Sequence, residues 1–200
     1  YSTPIAKQGE RVGVSYAHSH YTLGGAFSAL DYTGTAETLS AYWQHNFKRS
    51  RDVNIYGTIR FDMKSLDDEA KSMAYRSPKS ARNWVFGVNG DSLDRFWTGG
   101  KNTFALNYTR GDLSIDDAVQ RAYDESTAQT AGQFGKWNLE LTRLQHVSER
   151  VSLYLSYQRQ WASKNLDSSE KISLGGPNGV RAYPVGEASG DDGWRWTSEL

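Results

Sequence analysis

Cysteine is absent from the 200 residues of this chain. This absence excludes disulfide scaffolds, thiolate metal sites and cysteine nucleophiles. The chain also lacks an excess of charge of either sign, because its 23 lysine and arginine residues balance 23 aspartate and glutamate residues. Without a basic excess there is no general attraction for phosphates, so we expect no nucleic acid partner.

Long hydrophobic runs are absent as well. No stretch approaches the roughly 20 consecutive apolar residues of a membrane-spanning helix, and the mean hydropathy is -0.69. A low average is still compatible with a transmembrane β-barrel, because each spanning strand exposes only every second side chain to lipid. Aromatic residues make up 13% of the chain, with 7 Trp and 12 Tyr, which suits the interfacial girdles of such a barrel.

Strict alternation of apolar and polar residues is the main structural signal. It is uninterrupted over residues 53–64, a run longer than the about 5 to 6 residues of a typical globular strand. It suits the about 9 to 11 residues that a tilted strand needs to cross a bilayer. We therefore predict that Ile55, Ile59 and Phe61 face lipid, and not a dry protein core. The polar face is predicted to line a lumen with Arg60, Asp62 and Lys64, and Arg143 on a later strand is expected to face inward too.

Weaker copies of this pattern predict seven strands, with an eighth beginning near Trp194. Tight links are predicted at 48–52 and 147–150, and long loops at 65–80, 112–131 and 162–192. Segment 90–101 should be a short turn but is too long, unless the neighbouring strands extend into it. Among the connections, only 65–80 has room for a helix. The other strands are predicted around residues 12–16, 38–47, 84–88, 104–108, 137–141 and 151–158.

The sequence thus predicts an all-β fold, an antiparallel transmembrane β-barrel in which residues 1–200 form one segment of about eight strands. Short turns are expected at the periplasmic rim and long loops outside. The alternative is a soluble β-sandwich with one solvated face per strand, and carbohydrate-binding sandwiches are also rich in aromatic residues. Strand length and the asymmetry of the connections favour the barrel.

The most specific stretch is Leu174–Gly193, within the long loop 162–193. Its glycine and proline residues restrict the backbone path, so we expect an ordered and functional loop around Arg181. A phosphate-binding loop is excluded, because Gly175–Gly179 lacks the Gly-Lys-Ser/Thr ending and no helical pattern follows. We therefore expect no nucleotide.

In this stretch the chain resembles the two-partner secretion transporters, the TpsB or hemolysin activator/secretion family. That family carries a Val-Arg-Gly-Tyr/Phe tetrad in its sixth extracellular loop, framed by Gly-Gly-Pro before it and by Pro-x-Gly-Glu and Gly-Asp-x-Gly after it. Ala182 stands in place of the tetrad's glycine, and Leu30–Ala36 and Asn46–Arg51 also look like this family's barrel. The matching residues are Gly175, Gly176, Pro177, Val180, Arg181, Tyr183, Pro184, Gly186, Glu187, Gly190, Asp191 and Gly193.

The resemblance implies strands five to twelve of a sixteen-stranded barrel in the bacterial cell outer membrane. It implies export of a secreted TpsA-type exoprotein, such as a hemolysin, an adhesin or a toxin, with outer-membrane lipid around the barrel. Periplasmic POTRA domains would precede residue 1 and the last strands would follow Leu200. The loop would fold back into the lumen, and Arg181 would pair with an aspartate on the following strand, beyond this chain.

Two other functions of a barrel stay open, namely barrel assembly and passage of small solutes. Enzymatic chemistry is not expected, because no Gly-x-Ser-x-Gly elbow or catalytic triad can be assembled from the spacing. We also expect no cofactor and no metal. His18 and His20 share a strand face without a third ligand, and the acidic run 67–69 lacks the glycine and glutamate of a calcium loop.

Overall fold

The structure is a computed structural model in which most of the chain is β-strand. It describes residues 1–5, 9–22, 32–70, 72, 75–176, 179–180, 182–183 and 188–200. The strands are β1 (Ser2–Pro4), β2 (Arg11–Thr22), β3 (Tyr32–Arg49), β4 (Val53–Ala70), β5 (Tyr75–Asp94), β6 (Gly100–Ile115), β7 (Gly132–Ser148), β8 (Val151–Ala162), β9 (Ile172–Ser173), β10 (Ser189–Gly190) and β11 (Gly193–Glu199). The helical segments are α1 (Ala118–Ser126) and the 3-10 turn Ser168–Glu170.

Within the described residues, 9 strands form one antiparallel sheet in the order β1-β2-β3-β4-β5-β6-β7-β8-β11. Each strand from β1 to β7 pairs with the next one along the chain, and β11 returns to pair with β8. Between them, β9 and β10 form a separate ladder. The predicted all-β antiparallel fold is confirmed, since the predicted strands correspond to β2–β8 and the eighth to β11. The short β1 has no alternating pattern, so the sequence does not predict it.

The long loop predicted at residues 65–80 is wrong, because both neighbouring strands continue into it. Strand β4 runs to Ala70 and β5 begins at Tyr75. Charged residues interrupt the alternation here, but the backbone pairing continues. Arg76 on β5 even forms an ion pair with Asp67 on β4, with 2.6 Å between Nη2 and Oδ2.

The helix is also in a different place from the one predicted. It lies in the connection between β6 and β7, as α1, and not between β4 and β5. Asp117 supplies the N-cap, because its side chain accepts a hydrogen bond from the backbone N–H of Gln120 at 2.8 Å. No helix among the residues in view is long and apolar enough to cross a membrane.

Three turns lie at one edge of the sheet, and the two longest connections lie at the other. The predicted tight links are confirmed as turns at 50–52 and 149–150, and segment 90–101 shrinks to a turn at 95–99 because β5 and β6 extend into it. We call the edge with these turns the short-turn rim. The long connections 116–131 and 163–192 lie on the opposite edge, the long-loop rim.

One face of the sheet is polar and the other is apolar, as the alternation predicts. Connection 163–192 lies against one face, which we call the loop face, and the other is the outer face. On β5 the loop face carries the buried Asn83, whereas Trp84 on the outer face is 49% exposed. Ile59 on β4 is exposed and Ile55 and Phe61 are half-buried on the outer face, so none of the three lies in a dry core. A soluble sandwich would bury this apolar face, which excludes that alternative.

Aromatic side chains cluster in cross-strand pairs on the outer face. The rings of Phe61 and Trp84 lie 4.8 Å apart between centroids, and those of Tyr108 and Trp137 are also separated by 4.8 Å. Both pairs are direct register partners in the sheet. Aromatic rings at this spacing stabilise neighbouring strands beyond their buried area.

Candidate functional site

The root of connection 163–192 is packed tightly against the loop face. Leu166 is 1% exposed, and Asp167 and Glu170 are 6% and 3% exposed. Asp167 begins the 3-10 turn Ser168–Glu170, since its side chain accepts a hydrogen bond from the backbone N–H of Ser169 at 3.0 Å. This cap turns the chain so that Glu170 points at the sheet.

Glu170 is the centre of a buried ionic cluster that joins the loop to several strands. Its Oε1 lies 2.5 Å from Nζ of Lys64 on β4, and its Oε2 lies 2.8 Å from Nζ of Lys136 on β7. Asn83 on β5 donates to Oε1 at 2.8 Å. The backbone carbonyl of Glu170 also accepts from Lys136 at 2.7 Å and from Gln160 on β8 at 3.1 Å. One loop residue therefore contacts four strands, and we call this group the Glu170 cluster.

Apolar packing keeps water away from the cluster. Phe134 on β7 is 5% exposed and faces Gly111, its register partner on β6. A Cβ atom at Gly111 would collide with the ring of Phe134 and with the side chain of Asn83. The missing side chain therefore lets the ring lie beside Asn83, and the low local dielectric strengthens the charged hydrogen bonds.

A second ion pair anchors the loop beside the first. Asp167 Oδ2 lies 2.8 Å from Nζ of Lys79 on β5. Burial raises the pKa of Asp167, but the charge of Lys79 and its hydrogen bond outweigh burial, so the pKa lies below its ordinary value. The pKa of Glu170 is lowered in the same way, because attraction by Lys136 and Lys64 outweighs its burial. Both carboxylates are thus ionised at neutral pH.

The outer part of the loop is a hairpin closed by β9 and β10. Ser173 pairs with Ser189 and Ile172 with Gly190, and the N–H of Leu174 donates to the carbonyl of Ala188 at 2.8 Å. Asp191 ties the end of the loop to its root, because its Oδ1 accepts from the N–H of Leu166 at 2.8 Å.

The glycine-rich stretch folds back on this hairpin. The N–H of Val180 donates to the carbonyl of Leu174 at 2.8 Å, and the N–H of Gly176 donates to the carbonyl of Tyr183 at 2.9 Å. A Cβ atom at Gly179 would collide with the backbone carbonyl of Leu174 and lie 2.7 Å from Nη1 of Arg195 on β11. Only glycine fits this position without movement of the backbone.

The residues of the predicted pore-loop motif are described in part. Val180 is 45% exposed and Tyr183 is 54% exposed, and Ala182 lies in a turn beside Tyr183. Five further residues of the motif lie in or next to the hairpin, namely Gly175, Gly176, Gly190, Asp191 and Gly193. Pro177, Arg181, Pro184, Gly186 and Glu187 lie outside the described residues.

The predicted lumen-lining residues share the loop face. Lys64 joins the Glu170 cluster, whereas Arg60 donates to Asp62 on the same strand at 3.0 Å. The inward prediction for Arg143 is wrong. This residue pairs in register with Leu155 and Asn102 on the outer face, and it forms a 2.6 Å ion pair with Asp94 at the short-turn rim.

Sequence reasoning missed the loop residues that matter most here. Asp167 and Glu170 lie in a polar stretch that reads as a solvated loop. The sequence shows their partners only as polar positions on predicted strands. It does not indicate which of these positions are neighbours across the sheet, because that depends on the register of the strands. The two histidines considered for metal lie on β2, where His18 approaches Glu37 at 3.4 Å.

Comparison with known protein families identifies the family of this chain. All of residues 1–200 match the family model of the haemolysin secretion/activation protein ShlB/FhaC/HecB. The chain belongs to this family. The ShlB-family assignment agrees with the resemblance seen in the loop motif and extends it over the whole chain.

Named relatives and solved structures of similar fold support the assignment. The chain is 28% identical over 196 residues to the heme/hemopexin transporter protein HuxB of Haemophilus influenzae, covering 96% of this chain and 34% of HuxB. It is 25% identical over 204 residues to the outer membrane transporter CdiB of Dickeya dadantii, covering 95% and 36%. This ShlB-family chain thus spans about a third of the length of these relatives.

Two solved structures share the fold. CdiB from Escherichia coli matches with a TM-score of 0.73 and 22% identity, over 94% of this chain and 35% of that one. CdiB from Acinetobacter baumannii matches with a TM-score of 0.63 and 16% identity, over 92% and 32%. The sheet is therefore a segment of the β-barrel fold of these structures.

Proposed function

We propose that this chain forms part of an outer-membrane translocator that exports a partner exoprotein of the TpsA type in two-partner secretion. Membership of the ShlB/FhaC/HecB family supports this function. The names of the relatives, a heme/hemopexin transporter and outer membrane transporters, point in the same direction.

The observation that carries the proposal is the loop folded against the polar face of the sheet. A translocator for an unfolded chain requires a polar lumen and an element that closes it at rest. The loop face has buried polar and charged groups, and connection 163–192 is attached to it by the Glu170 cluster. We therefore propose that the loop face lines the lumen, that Arg60, Asp62 and Lys64 belong to this lining, and that the outer face contacts lipid.

We further propose that the tetrad Val180, Arg181, Ala182 and Tyr183 is the working part of this loop. The glycine-dependent fold at Gly179 supports this role, and so does the exposure of Val180 and Tyr183, which contrasts with the buried root. The partner carboxylate of Arg181 would be provided by a strand beyond this chain. Export would use no nucleotide, since the folding of the exoprotein outside the cell can drive it.

The test is a secretion assay with the full-length transporter and the exoprotein encoded with it. Replacing residues 175–187 by a flexible linker of equal length, and separately Arg181→Ala, should reduce secreted exoprotein at least about tenfold. The level of the folded barrel in the outer membrane serves as the control. Normal secretion by both variants would contradict the role of the loop.

The same cells separate export from the two other barrel functions. A barrel-assembly role predicts a loss of other outer-membrane proteins when the transporter is deleted, and a solute channel predicts a change in small-molecule uptake. Exoprotein retained in the periplasm, with other barrels and uptake unchanged, is the result expected for a two-partner translocator.

A further inference from the structure

We infer that Glu170 is the positioning residue that holds the closing loop in the lumen, an inference that rests on the proposed function. The contacts of the loop are unevenly distributed. At its root Leu166, Asp167 and Glu170 are buried, whereas Val180 and Tyr183 near the tip are about half exposed. Among the described residues of the loop, the buried contacts with the sheet are thus concentrated at the root.

Within the root, Glu170 has the most partners on the sheet. Asp167 meets the single lysine Lys79 at 2.8 Å, whereas Glu170 lies between Lys64 and Lys136 at 2.5 and 2.8 Å. These two lysines come from strands β4 and β7, which are separated by β5 and β6. Glu170 therefore links the loop to widely spaced strands, and no other described loop residue has two such ion pairs.

Loss of this carboxylate would do more than remove hydrogen bonds. Lys64 and Lys136 both point at the same carboxylate, so without Glu170 two largely buried ammonium groups would face each other without compensation. An uncompensated buried charge is strongly destabilising. The simplest relief is for water to enter the space, which requires the root to leave the sheet. Glu170 therefore controls the balance between a seated and a displaced loop.

A cysteine reporter can measure this balance directly. Ser77 on β5 is 2% exposed, and it borders the same cavity as Leu166 and Asp167. Because these 200 residues contain no cysteine, Ser77→Cys introduces the one thiol of this segment, of almost the same size as the serine side chain, under the loop, and any cysteine elsewhere in the full-length transporter is replaced by serine. In whole cells that carry the full-length transporter, a membrane-impermeant maleimide should reach this thiol only when the root is displaced.

The expected result is slow labelling of the Ser77→Cys reporter with Glu170 intact and labelling at least about tenfold faster with Glu170→Gln. The matched control is Glu125→Gln, which removes an exposed carboxylate on α1, and it should leave the labelling rate unchanged. The double variant Lys64→Glu with Glu170→Lys exchanges the two charges, so that residue 64 on β4 and residue 170 in the loop again have opposite charges. This pair should label more slowly than Glu170→Lys alone, a rescue that a loss of packing would not give.

Equal labelling of the parent and Glu170→Gln, in barrels that fold normally, would overturn the inference. If Glu170→Gln does not assemble, Lys64→Gln provides the measurement, because Glu170 keeps Lys136 and labelling should rise by an intermediate amount. Unchanged labelling in Lys64→Gln would then also overturn it. Secretion measured in the same cells keeps the two proposals apart, since a parent protein that exports nothing contradicts the proposed function without changing the labelling rates.

Discussion

Two ionic clusters lie at opposite rims and on opposite faces of this sheet. The Glu170 cluster lies on the loop face and joins residues as far apart in sequence as Lys64 and Glu170. The second cluster lies on the outer face at the short-turn rim, where Arg143 Nη1 lies 2.6 Å from Asp94 Oδ2 and 2.5 Å from Asn102 Oδ1. We call it the Arg143 cluster. Similar charged hydrogen bonds thus connect distant elements in one place and adjacent strands in the other.

The Arg143 cluster stabilises a turn. Asp94 accepts from the N–H of Phe96 at 3.0 Å, and Gln145 donates to the carbonyl of Gly99 at 3.0 Å. The turn thereby presents Phe96 and Trp97 to the surroundings, 70% and 73% exposed. The comparison indicates that the partly exposed cluster fixes local backbone geometry, whereas the buried Glu170 cluster determines where a whole loop lies.

The largest effect should follow from a change in the buried cluster. Lys136→Met removes the contacts of Lys136 to both the carboxylate and the carbonyl of Glu170. Because Lys64 still faces Glu170, we expect the seating of the loop to weaken by only part of the about 3 to 5 kcal/mol that a fully uncompensated buried charge costs. Limited proteolysis of the full-length protein in detergent should then cleave the loop much faster. The exposed Lys101→Met on β6 is the control, and equal cleavage rates would contradict the prediction.

Acid should release the loop but not the short turn. The pKa values of Asp167 and Glu170 are lowered in the folded protein, so their contribution to stability is complete above the ordinary values of about 4. It is lost as the pH falls below those values towards the folded ones. We therefore expect constant single-channel conductance of the full-length protein in planar bilayers from neutral pH down to about 5, and an increase below about 4.

A variant tests whether this acid response belongs to the Glu170 cluster. Glu170→Gln has no carboxylate to protonate at this position, so its conductance should be raised already at neutral pH and should change less on acidification. A full acid response in Glu170→Gln would assign the effect to other carboxylates of the barrel.

A smaller effect is expected at the Arg143 cluster. Arg143→Met removes the ion pair with Asp94 and the hydrogen bond to Asn102. Solvent reaches this cluster, and exposed ion pairs contribute little to stability, so the melting temperature in detergent should fall by only a few degrees. Labelling of the Ser77→Cys reporter should not change. Faster labelling would show that the two clusters are coupled, against the local role assigned here.

The two clusters also differ in how far the sequence predicts them. A period of two places Arg143 with Leu139 and Leu141, and these share the outer face. The position of Arg143 in the alternation therefore predicts the observed outer face. Its charge favours the inward face, and this is the prediction that is wrong. Alternation likewise places Asp62 and Lys64 on the face opposite Phe61, and in the structure this face is the loop face.

The Glu170 cluster could not be predicted in this way. Alternation determines which face of the sheet a strand residue occupies, but it does not determine the register between strands. Lys64, Asn83 and Lys136 come close together only because of the register of four neighbouring strands. A loop has no period at all. The family motif drew attention to Arg181, whereas the buried anchor of the same loop lies eleven residues earlier, at Glu170.

The smallest effects should come from the backbone of the short turn that the Arg143 cluster stabilises. Gly99 has φ +93 and Trp97 has φ 59, both in the region that side chains disfavour. Gly99→Ala should therefore lower the free energy of unfolding by about 1 kcal/mol, whereas Trp97→Gly should relieve strain of a similar size. Chemical unfolding of the full-length protein in detergent measures both. If Trp97→Gly is instead as destabilising as Gly99→Ala, the exposed indole makes contacts that outweigh the strain, and the turn does more than join two strands.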